Sequence, residues 1–67
     1  MTIGEKIKEL RQDRFWTRGQ LAYKAKIHEN TILLWETGRY EPSIKKCIAL
    51  ANVFGVTLDE LCCRGEG

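Results

Sequence analysis

The chain has 67 residues and a formal net charge of +2, and 43% of its residues are hydrophobic. This length allows one small domain. It is close to the lower limit at which a hydrophobic core stabilises a fold without disulfides or a metal ion. No signal peptide is recognisable and no apolar run approaches the ~20 residues needed to span a bilayer, so we expect a cytoplasmic protein with no membrane partner.

Three cysteines, an odd number, stand without the spacing of a zinc site. Cys62 and Cys63 are adjacent and therefore poor partners for an ordinary disulfide, and a reducing cytoplasm is the simpler setting. Cys47 and Cys62 fall where core residues are needed, so we interpret both as small hydrophobic residues and expect Cys63 to be exposed. No metal, cofactor or small-molecule ligand is evident.

The positive charge is concentrated at the start of the chain. Residues 1–26 hold seven basic and three acidic side chains, a net charge of +4. Residues 27–41 have a net charge of −2, and residues 42–67 are balanced. A basic excess on the first two predicted helices is where contacts to nucleic-acid phosphates would be needed, although basic residues can also simply solvate a helix face.

Two capping boxes, each a threonine followed three residues later by Glu or Gln, predict the starts of the first two helices. They place helix 1 at Ile3–Asp13 and begin helix 2 at Arg18. Trp16 precedes the second cap at the spacing of a hydrophobic staple with Leu21, so we interpret it as a core residue. Phe15, in the turn between the helices, is expected to be exposed.

A third helix follows the short connector 26–28, with Ile32 and Trp35 on its inner face and Gly38 just past its end. Two short helices joined by a tight turn that contains an apolar residue, Ile27, describe a helix-turn-helix. In that motif the second helix lies in the DNA major groove. The residues left facing outward are Glu29, Asn30, Leu33 and Leu34.

Ser43 caps a predicted fourth helix that ends at Gly55, and Thr57 opens a third capping box for a short fifth helix. No segment alternates between apolar and polar residues as a strand does. The sequence therefore predicts an all-α fold of five short helices, with a domain over residues 1–63 and a loose tail over residues 64–67.

The string LA-x-K-x-x-I-x-x-x-T-I-x-x-WE-x-G-x-x-x-PS resembles the Cro/repressor (XRE-type) helix-turn-helix family. The similarity runs from about residue 3 to residue 61 and is densest over residues 32–43. It implies a compact, lambda repressor-like domain that binds double-stranded DNA. The chain departs from the family at Phe15 and Lys26, where glycine is common, and a left-handed Lys26 would carry a conformational cost.

The resemblance also assigns roles to individual residues. The family's base-reading positions fall on Arg18, Glu29, Asn30 and Leu34. Phosphate contacts are expected from Arg14, Arg18, Arg39 and Tyr40, including the backbone N–H groups of the last two. An arginine at position 11 is expected to pair with Glu36, tying helix 1 to the end of helix 3. Glu29 would repel phosphates unless Arg18 neutralises it, and a carboxylate is favoured in a first helical turn in any case.

These features predict a sequence-specific transcriptional regulator, a repressor that binds a two-fold operator as a homodimer. The alternative is a protein-binding adaptor, antitoxin-like or coactivator-like, that docks through Leu33 and Leu34. A thiol or metal sensor acting through Cys62 and Cys63 is a further alternative. Catalysis is not predicted, because the lone His28 has no evident acid or nucleophile partner.

Overall fold

The computed structural model of the protein describes residues 2–62, and in that part of the chain all regular structure is α-helical. The five helices are α1 (Ile3–Asp13), α2 (Arg18–Ala25), α3 (Glu29–Glu36), α4 (Ile44–Phe54) and α5 (Leu58–Cys62). The predicted all-α class and the helix-turn-helix of α2 and α3 are confirmed. Cys63 and the predicted tail at 64–67 lie outside the described residues.

Local capping sets the starts of α1 and α2, as the sequence predicts. The Thr2 hydroxyl accepts a hydrogen bond from the N–H of Glu5 at 3.1 Å, and the Glu5 carboxylate accepts one from the N–H of Thr2 at 2.8 Å. Thr17 and Gln20 form the same reciprocal pair at 3.1 and 2.8 Å. His28, at the start of α3, makes no side-chain cap bond with any described residue. Tertiary packing therefore has to hold the first turn of α3.

The core takes apolar side chains from all five helices. Each helix of the described chain contributes one side chain with no exposed surface: Ile7, Leu21, Ile32, Leu50 and Leu61. Burying a side chain of this kind stabilises the fold by roughly 1.5–3 kcal/mol. Cys47 is buried among them and Cys62 packs against them half-buried, so both behave as the small core residues that we predicted.

Trp16 seals the open end of this core beside α4. Its ring stacks on Phe54 at a centroid distance of 5.8 Å, and the Lys24 ammonium lies 5.0 Å from its centroid. The Arg14 guanidinium lies over both rings, 5.9 Å from Trp16 and 5.3 Å from Phe54. Trp16 is half-buried and packs against the core, so the structure places it at the edge of the core.

Two turns of the helical bundle use left-handed residues that are not glycine. Phe15 and Lys26 both have φ = +58°, and the Phe15 side chain is 92% exposed, as expected. Behind Lys26, the N–H of Ile27 donates to the carbonyl of Ala22 at 3.0 Å, which closes the end of α2. The helix-turn-helix turn therefore keeps its usual geometry with lysine in place of glycine, at a cost of roughly 1–2 kcal/mol.

The α1 and α3 backbones meet at Gly4. A Cβ atom on Gly4 would lie 1.9 Å from the carbonyl oxygen of Trp35, closer than any side chain could be placed. Glycine therefore allows the start of α1 to press directly on the end of α3. This contact fixes where the exposed face of α3 points.

None of the helices in residues 2–62 has the length and apolar character needed to cross a bilayer.

Candidate nucleic-acid interface

The outer face of α3 borders an open cleft at the start of the helix. Because Ile32 and Trp35 are buried, residues on the opposite face of α3 project away from the core. The cleft has a volume of about 640 Å³ and is lined by Arg18, His28, Glu29, Asn30, Thr31 and Leu33. It therefore lies where the N-terminal parts of α2 and α3 come together.

Three of the four predicted base-reading residues meet in this cleft: Arg18, Glu29 and Asn30. The fourth, Leu34, is not among its described lining residues, and Leu33 lines it instead. His28 and Thr31 also border the cleft, and neither was predicted to read bases. The position of both at the first turn of the recognition helix is the signal that could have identified them.

The two leucines are less exposed than the sequence suggested. Leu33 is 37% exposed and Leu34 is half-buried, so the expectation that both face solvent is wrong for Leu34. The reason is geometric, because position 34 lies only one residue from the buried Trp35 and shares part of its packing. A pair with this little free apolar surface is a poor anchor for a protein-binding adaptor.

A buried carboxylate joins α1, α2 and α3 behind the cleft. The Glu36 side chain is 1% exposed, and its Oε2 accepts from Arg11 Nε at 2.8 Å. Its Oε1 accepts from Arg11 Nη2 at 3.2 Å and from Arg18 Nε at 2.9 Å. The expected Arg11–Glu36 pair is thus present, and a second arginine joins it. The contact of Arg18 with Glu36 was not predicted.

Arg14 has a structural position in the domain. Its Nη1 donates to the carbonyl of Leu10 at 3.1 Å, and its Nη2 donates to the carbonyl of Phe54. The guanidinium therefore satisfies the ends of α1 and α4. These bonds use two of the five N–H donors of the guanidinium, so the predicted phosphate contact of Arg14 stays a prediction.

The loop after α3 also differs from the prediction in part. The N–H groups of Arg39 and Tyr40 both donate to the carbonyl of Leu34, at 3.0 and 3.3 Å. The N–H groups that were predicted to contact phosphate thus already have an acceptor at the end of α3. The side chains of Arg39 and Tyr40 are exposed and remain available.

Glu29 lies against the first turn of α2. Its Oε1 is 3.6 Å from the position that a Cβ atom on Gly19 would occupy. Glu29 also occupies the first turn of α3, so its carboxylate is near the N-termini of two helices, where backbone N–H groups favour negative charge. The cleft thus offers an anionic acceptor, an amide and a cationic donor.

Among residues 2–62 no group of three or more His, Cys, Asp or Glu side chains could hold a metal ion.

An exposed recognition-helix face, with arginine and amide side chains at its start, is the arrangement of a helix-turn-helix DNA-binding domain. A family model described as "Helix-turn-helix" matches residues 7–61. The chain belongs to the XRE-type helix-turn-helix family.

Relatives of the chain are regulators of transcription. The chain is 34% identical over 61 residues to the immunity repressor protein of Bacillus phage phi105, and 33% identical over 61 residues to the HTH-type transcriptional activator BcrR of Enterococcus faecalis. Each alignment covers 91% of this chain. A transcriptional regulator from Listeria innocua has a similar crystal structure, with a TM-score of 0.84, 26% identity and coverage of 92% of this chain.

The chain corresponds to only part of these proteins. It spans 42% of the phage repressor, 30% of the activator and 58% of the Listeria chain. A shorter relative, an HTH-type transcriptional regulator of Methanocaldococcus jannaschii, is 34% identical over 56 residues that make up 85% of its length. The family is one of DNA-binding transcriptional regulators rather than enzymes.

Proposed function

We propose that the chain binds a specific double-stranded DNA sequence in the cytoplasm and represses transcription as a homodimer on a two-fold operator. The observation that carries the proposal is the cleft where Arg18, Glu29 and Asn30 meet on the outer face of α3. Repression is favoured by the likeness to a phage immunity repressor. The likeness to an activator is the reason to test the direction of regulation directly.

The base-reading roles follow from side-chain chemistry. Asn30 can bond the N6 and N7 atoms of adenine, and Glu29 can accept from the N4 amine of cytosine. Arg18 can donate to guanine or to a phosphate beside the start of α2, which itself favours anions. Leu34 would pack on a thymine methyl group through its exposed part.

Phosphate contacts would come from the side chains of Arg39 and Tyr40 at the other end of α3. Arg18 and Arg14 would add to them. These groups orient the protein on the duplex without selecting a sequence. The net charge of +4 on residues 1–26 supports the same approach to DNA through long-range attraction.

Dimerisation is expected from the size of the domain. A single module this small buries too little surface on DNA for the tight and specific binding of a regulator. Two copies related by a two-fold axis would place their recognition helices in successive major grooves, about 34 Å apart. The operator should then read as an inverted repeat.

Selection from random duplexes tests the proposal. We expect an inverted repeat to be enriched, and Asn30→Ala to weaken binding to it by roughly 1–3 kcal/mol while relaxing one base position. Arg39→Ala should weaken all duplexes alike. Leu33→Ala is a useful comparison, because the adaptor alternative expects it to matter most. The proposal fails if Asn30→Ala and Arg39→Ala both bind the selected duplex as the parent does.

A further inference from the structure

The contact between Arg18 and Glu36 deepens the proposed function and rests on it. We infer that Glu36 is a positioning residue for DNA recognition. It holds Arg18 by the Nε atom, so that the two terminal nitrogens of Arg18 are presented together to a pair of acceptor atoms on DNA.

The two arginines at Glu36 differ in their burial and in the atoms that contact the carboxylate. Arg11 is buried, and its Nε and Nη2 span the carboxylate at 2.8 and 3.2 Å while its Nη1 donates to the carbonyl of Trp16 at 2.8 Å. The Arg18 side chain is 35% exposed and touches the carboxylate through Nε alone, at 2.9 Å. Among residues 2–62 its terminal nitrogens have no other hydrogen-bond or ion-pair partner, and Arg18 lines the cleft.

A guanidinium group is a flat fork of five N–H donors. When Nε is engaged, the remaining four donors belong to the two terminal nitrogens, and the edge between these nitrogens offers two N–H groups side by side. Such an edge matches two acceptors side by side, either O6 and N7 of guanine or two oxygens of one phosphate. A side chain that is already held in place also loses less conformational freedom when it binds.

The hydrogen bonds at Glu36 leave donors on Arg18 for a partner from outside the domain. Arg11 alone balances the charge of the carboxylate, and Arg18 adds a third hydrogen bond to it. Glu29 borders the same cleft, but it forms no ion pair with Arg18 in the described structure. The terminal nitrogens of Arg18 therefore remain for an acceptor-rich ligand such as DNA.

Single-position modification of the selected duplex provides the test. One series replaces each guanine by 7-deazaguanine, which lacks the N7 acceptor, and a second replaces each phosphate by an uncharged methylphosphonate. One position per half-site should carry the acceptor that Arg18 contacts. Modification at this position is expected to weaken binding of the full chain by about 5- to 100-fold. If the 7-deazaguanine series shows the loss, Arg18 contacts a guanine. If the methylphosphonate series shows it, Arg18 contacts a phosphate.

Variants then connect that position to Glu36. Arg18→Lys keeps the charge and the Arg11–Glu36 pair but removes the fork, and Glu36→Gln removes the charge that holds it. In both we expect the effect of the critical modification to fall below about threefold, while the effect at positions contacted by Arg39 is unchanged. Glu9→Gln, at an exposed ion pair on α1, is the control and should retain the full effect.

A merely structural Glu36 gives a different result. Glu36→Gln would then weaken all duplexes alike and keep the position-specific effect, and this outcome overturns the inference. If Glu36→Gln does not fold, as judged by circular dichroism, Arg18→Lys decides, because an unchanged effect in that variant also overturns it. A parent protein that binds no duplex contradicts the proposed function itself. A parent that selects a site without any modification-sensitive position linked to Arg18 contradicts only this inference.

Discussion

Glu36 shows how one residue can hold several helices in register. Its carboxylate is almost completely removed from water and receives hydrogen bonds from arginines on α1 and α2. For a buried ion pair, desolvation offsets most of the attraction, so the main effect is on geometry. The pairing with Arg11 could be predicted from the family resemblance. The pairing with Arg18 could not, because nothing in the local sequence indicates that the first turn of α2 reaches the end of α3.

Removal of this carboxylate should be costly. We expect Glu36→Ala to lower the free energy of unfolding by about 3 kcal/mol, because two arginines would be left facing each other with no anion between them. Glu9→Ala removes the exposed pair with Lys6 and should cost less than about 1 kcal/mol. Urea denaturation of the two variants measures both values. Equal losses would show that Glu36 contributes no more than a surface ion pair.

The thiol of Cys47 should be unreactive in the folded domain. Burial, reinforced by the neighbouring Cys62 thiol, raises the pKa of Cys47 from 9.0 to about 11. The thiolate is the reactive form, so labelling at pH 8 should be much slower in the native protein than in urea. Mass spectrometry of peptides after a short maleimide pulse measures the difference. Equal labelling of Cys47 in both states would contradict its placement in the core.

The same shift makes a contribution to stability that depends on pH. Because the pKa of Cys47 is raised in the folded state, its contribution is fully present below pH 9 and is lost as the pH rises towards 11. Comparison of the parent with Cys47→Ala across this range isolates the effect from other titrating groups. The stability of the parent should fall more steeply between these pH values than that of the variant.

At the scale of the helix, the starts of helices could be predicted from the sequence better than the contacts between helices. The starts of α1 and α2 follow from capping boxes that each span only four residues, so the sequence predicted them correctly. A left-handed Lys26 was expected to carry a cost, and the turn adopts it nonetheless, with Ile27 packed against the core beside it. The close approach at Gly4 was not predicted, because it depends on how α1 and α3 cross and not on any nearby residue.

Two glycines within helices provide a matched comparison. Alanine is favoured over glycine in a helix by roughly 0.5–1 kcal/mol, and this gain applies to both positions. At Gly19 the new Cβ would find its nearest atom at 3.6 Å, an ordinary contact, so Gly19→Ala should be neutral or stabilising. At Gly4 it would collide with the Trp35 backbone at 1.9 Å.

We therefore expect Gly4→Ala to lower the melting temperature and to cost a net 1–3 kcal/mol or so, because overpacking outweighs the gain in propensity. Thermal melts followed by circular dichroism compare the two variants directly. If Gly4→Ala is as stable as Gly19→Ala, α1 and α3 are not in the close contact described above.

Across the whole molecule, the fold brings together residues that are distant in the chain. The cleft combines Arg18 of α2 with the start of α3, and both elements were identified from the sequence. Some of the predicted phosphate donors are also used by the fold. Arg14 and the N–H groups after α3 have the right chemistry for phosphate, and they also bond to carbonyl groups at helix ends. Sequence patterns indicate which groups can bind DNA, and only tertiary contacts show which of them are free.

The salt dependence of DNA binding should report the number of protomers. Each lost phosphate contact lowers the slope of log K against log salt concentration by about 0.9. For a dimer, Arg39→Ala removes two such contacts and should reduce the slope by about 1.8, whereas a monomer would lose half as much. Fluorescence anisotropy at several salt concentrations measures the slope, and sedimentation of the complex checks the stoichiometry. An unchanged slope would remove Arg39 from the phosphate contacts.

The contact at Gly4 has a consequence for the exchange of specificity between relatives. A chain with a larger residue at this position must move α1 away from the end of α3, and its recognition helix then leaves the body of the domain at a different angle. Grafting the outward residues of α3 from such a relative would supply the correct side chains on a helix with the wrong orientation. Position 4, which is not among the proposed DNA-contacting residues, should therefore determine which relatives can exchange recognition residues and retain their preferred sites.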